Sequence, residues 1–173
     1  MTFLLDTNVV SYFFQARRHD ELARAARSQP CALADAVVTE LTADRARGAL
    51  FSRWLPSSSL IEIRLLVGSA ADEVLLALET GLSTRRGNGE RTSIALAATD
   101  PSMVFVASDK GALWIALREL HAPGERAIGL QVFLRRLVDT SALEGIAAED
   151  VLTASQQVKP TWWARWRRGD QPR

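Results

Sequence analysis

An α/β fold built on a mostly parallel sheet is what this sequence predicts, and three observations predict it. Short apolar runs, notably Phe3-Leu4-Leu5 and Met103-Val104-Phe105-Val106-Ala107, read as strands buried on both faces. Each of these two runs stops at or just before a carboxylate, Asp6 or Asp109, and a helical pattern takes over at once. Strand-like and helix-like segments alternate along the rest of the chain, which implies parallel strands joined by helical crossovers that cover the sheet on both sides.

The elements follow in order. After the first strand, Val9 to Gln15 has helical character, and His19 to Ser28 repeats it with arginines outward until Gln29-Pro30 stops it. Cys31 to Ala34 reads as the second strand. Asp35 is placed to cap a helix in which Val37, Val38 and Leu41 are apolar and Glu40 lies beside them. Residues 47 to 59, with Gly48, Trp54, Pro56 and three serines, read as a helical end followed by a loop. Leu60 to Ile63 alternates and fits a short third strand with Glu62 outward. Ser69 caps a helix that ends near Gly81. Arg85 to Gly89 reads as a flexible basic loop, Glu90 as the opening of a helix from Arg91 to Ala98, and Asp100-Pro101 as a turn. The Met103 strand and a helix from Gly111 to Leu120 come next, then a short strand at Ala127 to Leu130, a helix from Gln131 to Val138, and one or two more between Ser141 and Gln157.

Composition narrows the class. Apolar residues make up 47% and charged residues 24% of the 173 residues, which is globular composition and fits one domain with a sizeable core. Cys31 is the single cysteine, so no internal disulfide forms, and a reducing cytoplasm is the expected setting. No apolar run approaches a membrane span and no signal-peptide pattern opens the chain, so no membrane partner is expected. The net charge of +1 hides an asymmetry: residues 159–173 hold Lys159, Arg165, Arg167, Arg168 and Arg173 against Asp170, leaving a mildly acidic body.

Four carboxylates carry the chemical argument. Asp6 and Asp109 end two apolar strands, Glu40 sits in a helix among core-type residues, and Glu90 lies at a helix start. Ligands bind at the carboxyl ends of parallel strands, which places Asp6 where chemistry usually happens. A cap for the following helix, made by Asp6 or Asn8, would explain a polar residue there equally well. If the two strands are neighbours, Asp6 and Asp109 converge. Converging carboxylates raise one another's pKa and call for a cation, and hard oxygen donors suit Mg²⁺ or Mn²⁺ in a metal-dependent phosphodiester hydrolase. Rival chemistries have less support: His19 and His121 are few and scattered and read as exposed, no Gly-Lys-Ser/Thr follows Gly87-Asn88-Gly89, and Cys31 reads as a small core residue.

In this pattern the sequence resembles the PIN domain family of metal-dependent ribonucleases, whose bacterial toxin members include the VapC type. The residues that carry the resemblance are Leu4-Leu5-Asp6-Thr7-Asn8, Val37-Val38-Thr39-Glu40-Leu41, Gly89-Glu90 followed by Ile94-Ala95-Leu96-Ala97, and Val106-Ala107-Ser108-Asp109-Lys110. The resemblance implies a Rossmann-like three-layer α/β/α fold and an acidic pocket holding Mg²⁺ or Mn²⁺. It also implies hydrolysis of RNA, and a toxin's protein antitoxin as a candidate partner. By position, Asp6, Glu40, Glu90 and Asp109 would be the catalytic and metal-binding acids, with Asp6 and Asp109 the direct ligands and Asn8 and Ser108 supporting them. A further acid that many members carry beyond the last aspartate is replaced here by Gly111-Ala112-Leu113. Residues 1–152 would form the nuclease domain and 153–173 a basic, Trp-rich tail.

Arg85, Arg86, Arg91 and Lys110 lie near the acids in sequence and could hold an RNA backbone; solvated surface charge is the plain alternative for each. In the tail, Trp162, Trp163 and Trp166 interleave with Arg165, Arg167 and Arg168. Three roles stay open for it: an arm that stacks on RNA bases, a segment whose tryptophans pack back on the body, or an interface with a second subunit or an antitoxin. A non-catalytic nucleic-acid or protein-binding module of the same fold is the alternative function.

Overall fold

The computed structural model describes residues 1–81, 87–120 and 125–156, and everything below concerns those residues. Five parallel strands form one sheet in the order β3-β2-β1-β4-β5: β1 (Thr2–Leu5), β2 (Cys31–Ala34), β3 (Ile61–Ile63), β4 (Met103–Ala107) and β5 (Ala127–Gly129). Helices cover both faces, giving the three-layer, Rossmann-like α/β architecture expected from the sequence, with a sheet that is parallel throughout.

Burial explains which runs became strands. The three inner strands β2, β1 and β4 are buried almost without interruption, since helices pack on both of their faces and no polar side is needed. The edge strand β3 is different, with Ile61 and Glu62 exposed. Register is fixed by pairs such as Phe3 with Val104 and Leu5 with Val106 between β1 and β4, and the Asp6 N–H continues the ladder by donating to the Val106 carbonyl at 2.9 Å.

Nine helices connect and follow the strands: α1 (Thr7–Gln15), α2 (His19–Ser28), α3 (Asp35–Ala43), α4 (Gly48–Trp54), α5 (Ala70–Gly81), α6 (Asn88–Thr99), α7 (Lys110–Glu119), α8 (Leu130–Asp139) and α9 (Gly145–Ala154). α6 lies against β1, β2 and β4, with α3, α5 and α7 beside it. Its C-terminal carbonyls are held by Arg126, which donates to Ala97 and to Asp100, the latter at 2.9 Å. α8 packs on β4 and β5, and α9 reaches back to α1, where Arg18 binds Asp150 at 2.7 Å.

Three local expectations are corrected. Residues 48–54 form a helix of their own, α4, because Phe51 and Trp54 find a buried site beside Phe14 and earn it the packing that a helix so short needs. Asn88 and Gly89 belong to α6 rather than to a loop; Gly87 is its N-cap, and Glu90 is its third residue. His19 is not exposed: its ring stacks on Phe14 at 4.8 Å and meets Trp54 edge-on. His121 lies outside the described residues. Cys31 is fully buried and burial pushes its thiol up to about 12, the inert core role expected of it.

The core is anchored where β1 meets α8, with Phe3 and Phe133 edge-to-face at 5.1 Å and both rings fully buried. Phe133→Ala leaves a ring-sized void there and is expected to cost about 3–5 kcal/mol in urea unfolding. A loss below about 1 kcal/mol would mean that the site collapses freely and that this contact does not anchor the core.

Candidate active site

The strand order reverses between β1 and β4, so the crevice above the carboxyl ends of these two strands is the topological switch point at which open α/β sheets bind ligands. Asp6 follows β1 and Asp109 follows β4, and the pairing of those strands brings both acids to the same edge.

Asp6 is the buried member, only 4% exposed. It occupies the N-cap position of α1, where its side chain closes no full capping hydrogen bond, although the Thr7 and Asn8 N–H groups lie close enough to stabilise its charge. Its carboxyl is pushed up from 3.8 to about 6, first by burial and then by the charge of Glu90, with a smaller push from Glu40. The nearby backbone N–H groups of Thr7 and Asn8 pull the other way. Glu40 of α3 and Glu90 of α6 are therefore both within electrostatic reach of Asp6.

Glu40 has a more specific position than its neighbours. One oxygen accepts the Thr7 hydroxyl at 2.5 Å and the other accepts the Gly89 N–H at 2.8 Å. It thereby ties the starts of α1 and α6 together. Both helix starts matter, since Asp6 precedes one and Glu90 sits in the first turn of the other. The close approach of α6 depends on Gly89: a Cβ there would lie 2.8 Å from a Glu40 oxygen and 2.9 Å from a Val37 methyl. Neither Thr7 nor Gly89 stood out as a functional residue in the sequence, although a glycine directly before an acid in a helix start is a readable sign of close backbone approach.

Asp109 is exposed and serves as the N-cap of α7, accepting the Ala112 N–H at 2.9 Å. Ser108 is half-buried between β4 and this cap, and the Asn8 side chain is exposed at the first turn of α1. Of the basic residues, Lys110 is exposed on α7 and Arg91 is half-buried on α6, with its Nε enclosed and lacking a hydrogen-bond partner; Arg85 and Arg86 lie outside the described residues.

The donor set is all carboxylate oxygen, which suits a hard divalent cation. Among the described residues no three His, Cys, Asp or Glu side chains converge closely enough to hold an ion by themselves. Asp6 and Glu90 as a pair fit Mg²⁺ chemistry nonetheless, because that ion keeps several of its waters and commonly takes only one or two carboxylates. No family model, no curated protein and no solved structure matches this chain.

Two outcomes follow. Because the folded-state pKa of Asp6 lies above its ordinary value, the folded protein holds that proton more tightly than the unfolded chain, and this contribution, present in full below about pH 3.8, is lost as pH rises through about 6. The loss amounts to about 3 kcal/mol. In EDTA, the stability of Asp6→Asn relative to the parent protein should therefore rise by about that much between pH 3.5 and pH 7.5; a difference independent of pH would show that Asp6 is not held in this way. Gly89→Ala should destabilise by about 1–3 kcal/mol through overpacking against Glu40 and Val37. The helix propensity of alanine alone would give the opposite sign, which chemical denaturation distinguishes.

Proposed function

We propose that this chain is a metal-dependent endoribonuclease that hydrolyses RNA phosphodiester bonds at the switch point between β1 and β4. The observation that carries the reading is the buried Asp6, whose carboxyl is held up by burial and by neighbouring acids at the one sheet edge where α/β folds place ligands.

In this reading Asp6 and Glu90 would hold Mg²⁺ or Mn²⁺, and Asp109, which the resemblance implies as the second direct ligand, is placed at the rim instead because its carboxylate is engaged in capping α7. When bound, the ion supplies positive charge that offsets the phosphate and favours ionised carboxylates. The remaining work belongs to the chain's own residues. Glu90 orients the attacking water and takes up its proton as the water oxygen bonds to phosphorus, while the leaving oxygen departs with the P–O electron pair and takes a proton from solvent. Glu40 acts as a positioning residue, because both its oxygens are engaged in holding Thr7 and Gly89 and so set the distance between Asp6 and Glu90. Lys110, exposed at the start of α7, and Arg91, half-buried near the start of α6, are candidate backbone contacts. The resemblance to VapC-type proteins extends the proposal to the toxin of a toxin-antitoxin pair, with a protein antitoxin and a second copy of the chain as candidate partners.

A non-catalytic binding module of the same fold is favoured by one observation, the engagement of Glu40 in hydrogen bonds in place of an open third ligand. The two readings part in a single assay. Purified protein is incubated with a mixed RNA in Mg²⁺, Mn²⁺ or EDTA, alongside Asp6→Asn, Glu90→Gln and Asp109→Asn. The nuclease reading expects metal-dependent cutting that falls at least 100-fold in Asp6→Asn and Glu90→Gln, and less in the rim variant Asp109→Asn. Cutting that persists in Asp6→Asn, or none with any metal from protein free of a bound partner, rejects it.

A further inference from the structure

α7 begins at the catalytic edge, with Asp109 as its cap, and it packs on β4, β5 and α6 through Ala112, Ile115 and Ala116. Its outward face carries Lys110, Trp114 and Arg118, spaced four residues apart and so aligned along one side of the helix. All three are exposed. Trp114 is the outlier: 73% of it faces solvent, whereas Trp54, the other described tryptophan, is buried. This places an open aromatic face between two cations on one side of α7.

We propose that this stripe is a docking track for single-stranded RNA, in which Trp114 stacks on a base next to the scissile phosphate while Lys110 and Arg118 contact the phosphates on either side. The substrate class rests on the nuclease reading; the placement rests on α7 itself. Three features favour RNA over an apolar partner. The aromatic face is flanked by positive charge, which complements a polyanion and would be costly to bury against an apolar protein surface. Helical side chains lean toward the N-terminus of their helix, so Trp114 covers the turn nearest Lys110 and the carboxyl edge of the sheet. Stacking needs only an open ring face, which an exposed tryptophan supplies for any base. Arg118 is paired with Glu119 at 2.7 Å, but its side chain is 63% exposed, and such surface pairs are weak enough for a phosphate to displace.

The track also accounts for how an acidic crevice attracts a polyanion. Asp6, Glu40 and Glu90 repel phosphate, so binding energy has to come from outside them, and α7, which starts from the same sheet edge, offers it.

The test is equilibrium binding of a fluorescently labelled single-stranded oligoribonucleotide to the full chain in EDTA, where cutting does not interfere. Trp114→Ala and Trp114→Leu should each weaken binding about five-fold or more, while Trp114→Phe, which keeps an aromatic face, should stay within about two-fold of the parent. Leucine retaining full affinity would overturn the proposal, since apolar bulk would then suffice. Unchanged binding by Trp114→Ala, or no RNA binding by the parent, would overturn it too. So would a parent protein that self-associates in sedimentation and becomes monomeric in Trp114→Ala with its RNA affinity intact, which would assign the face to a second copy. Binding that depends on Trp114 without cutting in any metal would leave the track standing and remove the nuclease; cutting with Trp114-independent binding would do the reverse.

Discussion

The Glu40 carboxylate joins three segments far apart in sequence. It belongs to α3, takes the hydroxyl of Thr7 at the head of α1, and takes the backbone N–H of Gly89 at the head of α6. These charge-assisted bonds fix where two helices begin, and each helix start delivers an acid to the crevice. The sheet sets the edge on which the acids meet. Glu40 sets how closely they meet, and a glycine without a side chain makes that closeness sterically available. Removing the carboxylate would leave the frame standing and loosen the spacing between the two helix starts.

Asp6 carries a conflict between stability and use. Burial and two neighbouring acids oppose its ionised form, while its own backbone N–H is tied into the β1–β4 ladder and cannot retreat. Natural chains accept local opposition of this kind mainly where function requires it. The opposition is also what makes the crevice receptive, since a positive charge placed among these acids relieves repulsion that the fold by itself maintains.

Much of the frame could be read from residue patterns. Cys31–Ala34 and His19–Ser28 have the observed bounds because Pro30 separates them sharply, and the inner strands betray themselves by unbroken apolar runs. The start of α6 was hidden because Asn88 and Gly89 are poor helix formers, and the reason for a glycine there lies in Glu40, about fifty residues earlier. α4 was hidden by Pro56 and its serines, and only the tertiary cluster of Phe14, Phe51 and Trp54 explains why it is helical. His19 looked like a surface residue for the same reason, since no local pattern announces a distant tryptophan. Of the four acids, the sequence located the residues but not their division of labour: one buried, one tethering, one in a helix turn beside them, one capping a helix at the rim.

The strand order has a consequence for how the protein comes into being. β1 and its sheet partner β4 are about a hundred residues apart in the chain, and the crevice lies between them. Such sequence-distant pairing is slow to form and comes late in folding. Asp6, Glu40 and Glu90 are all synthesised before the strand that closes their edge of the sheet. An interrupted or nascent chain therefore carries most of the acids without the geometry, and the crevice itself exists only once synthesis has passed β4.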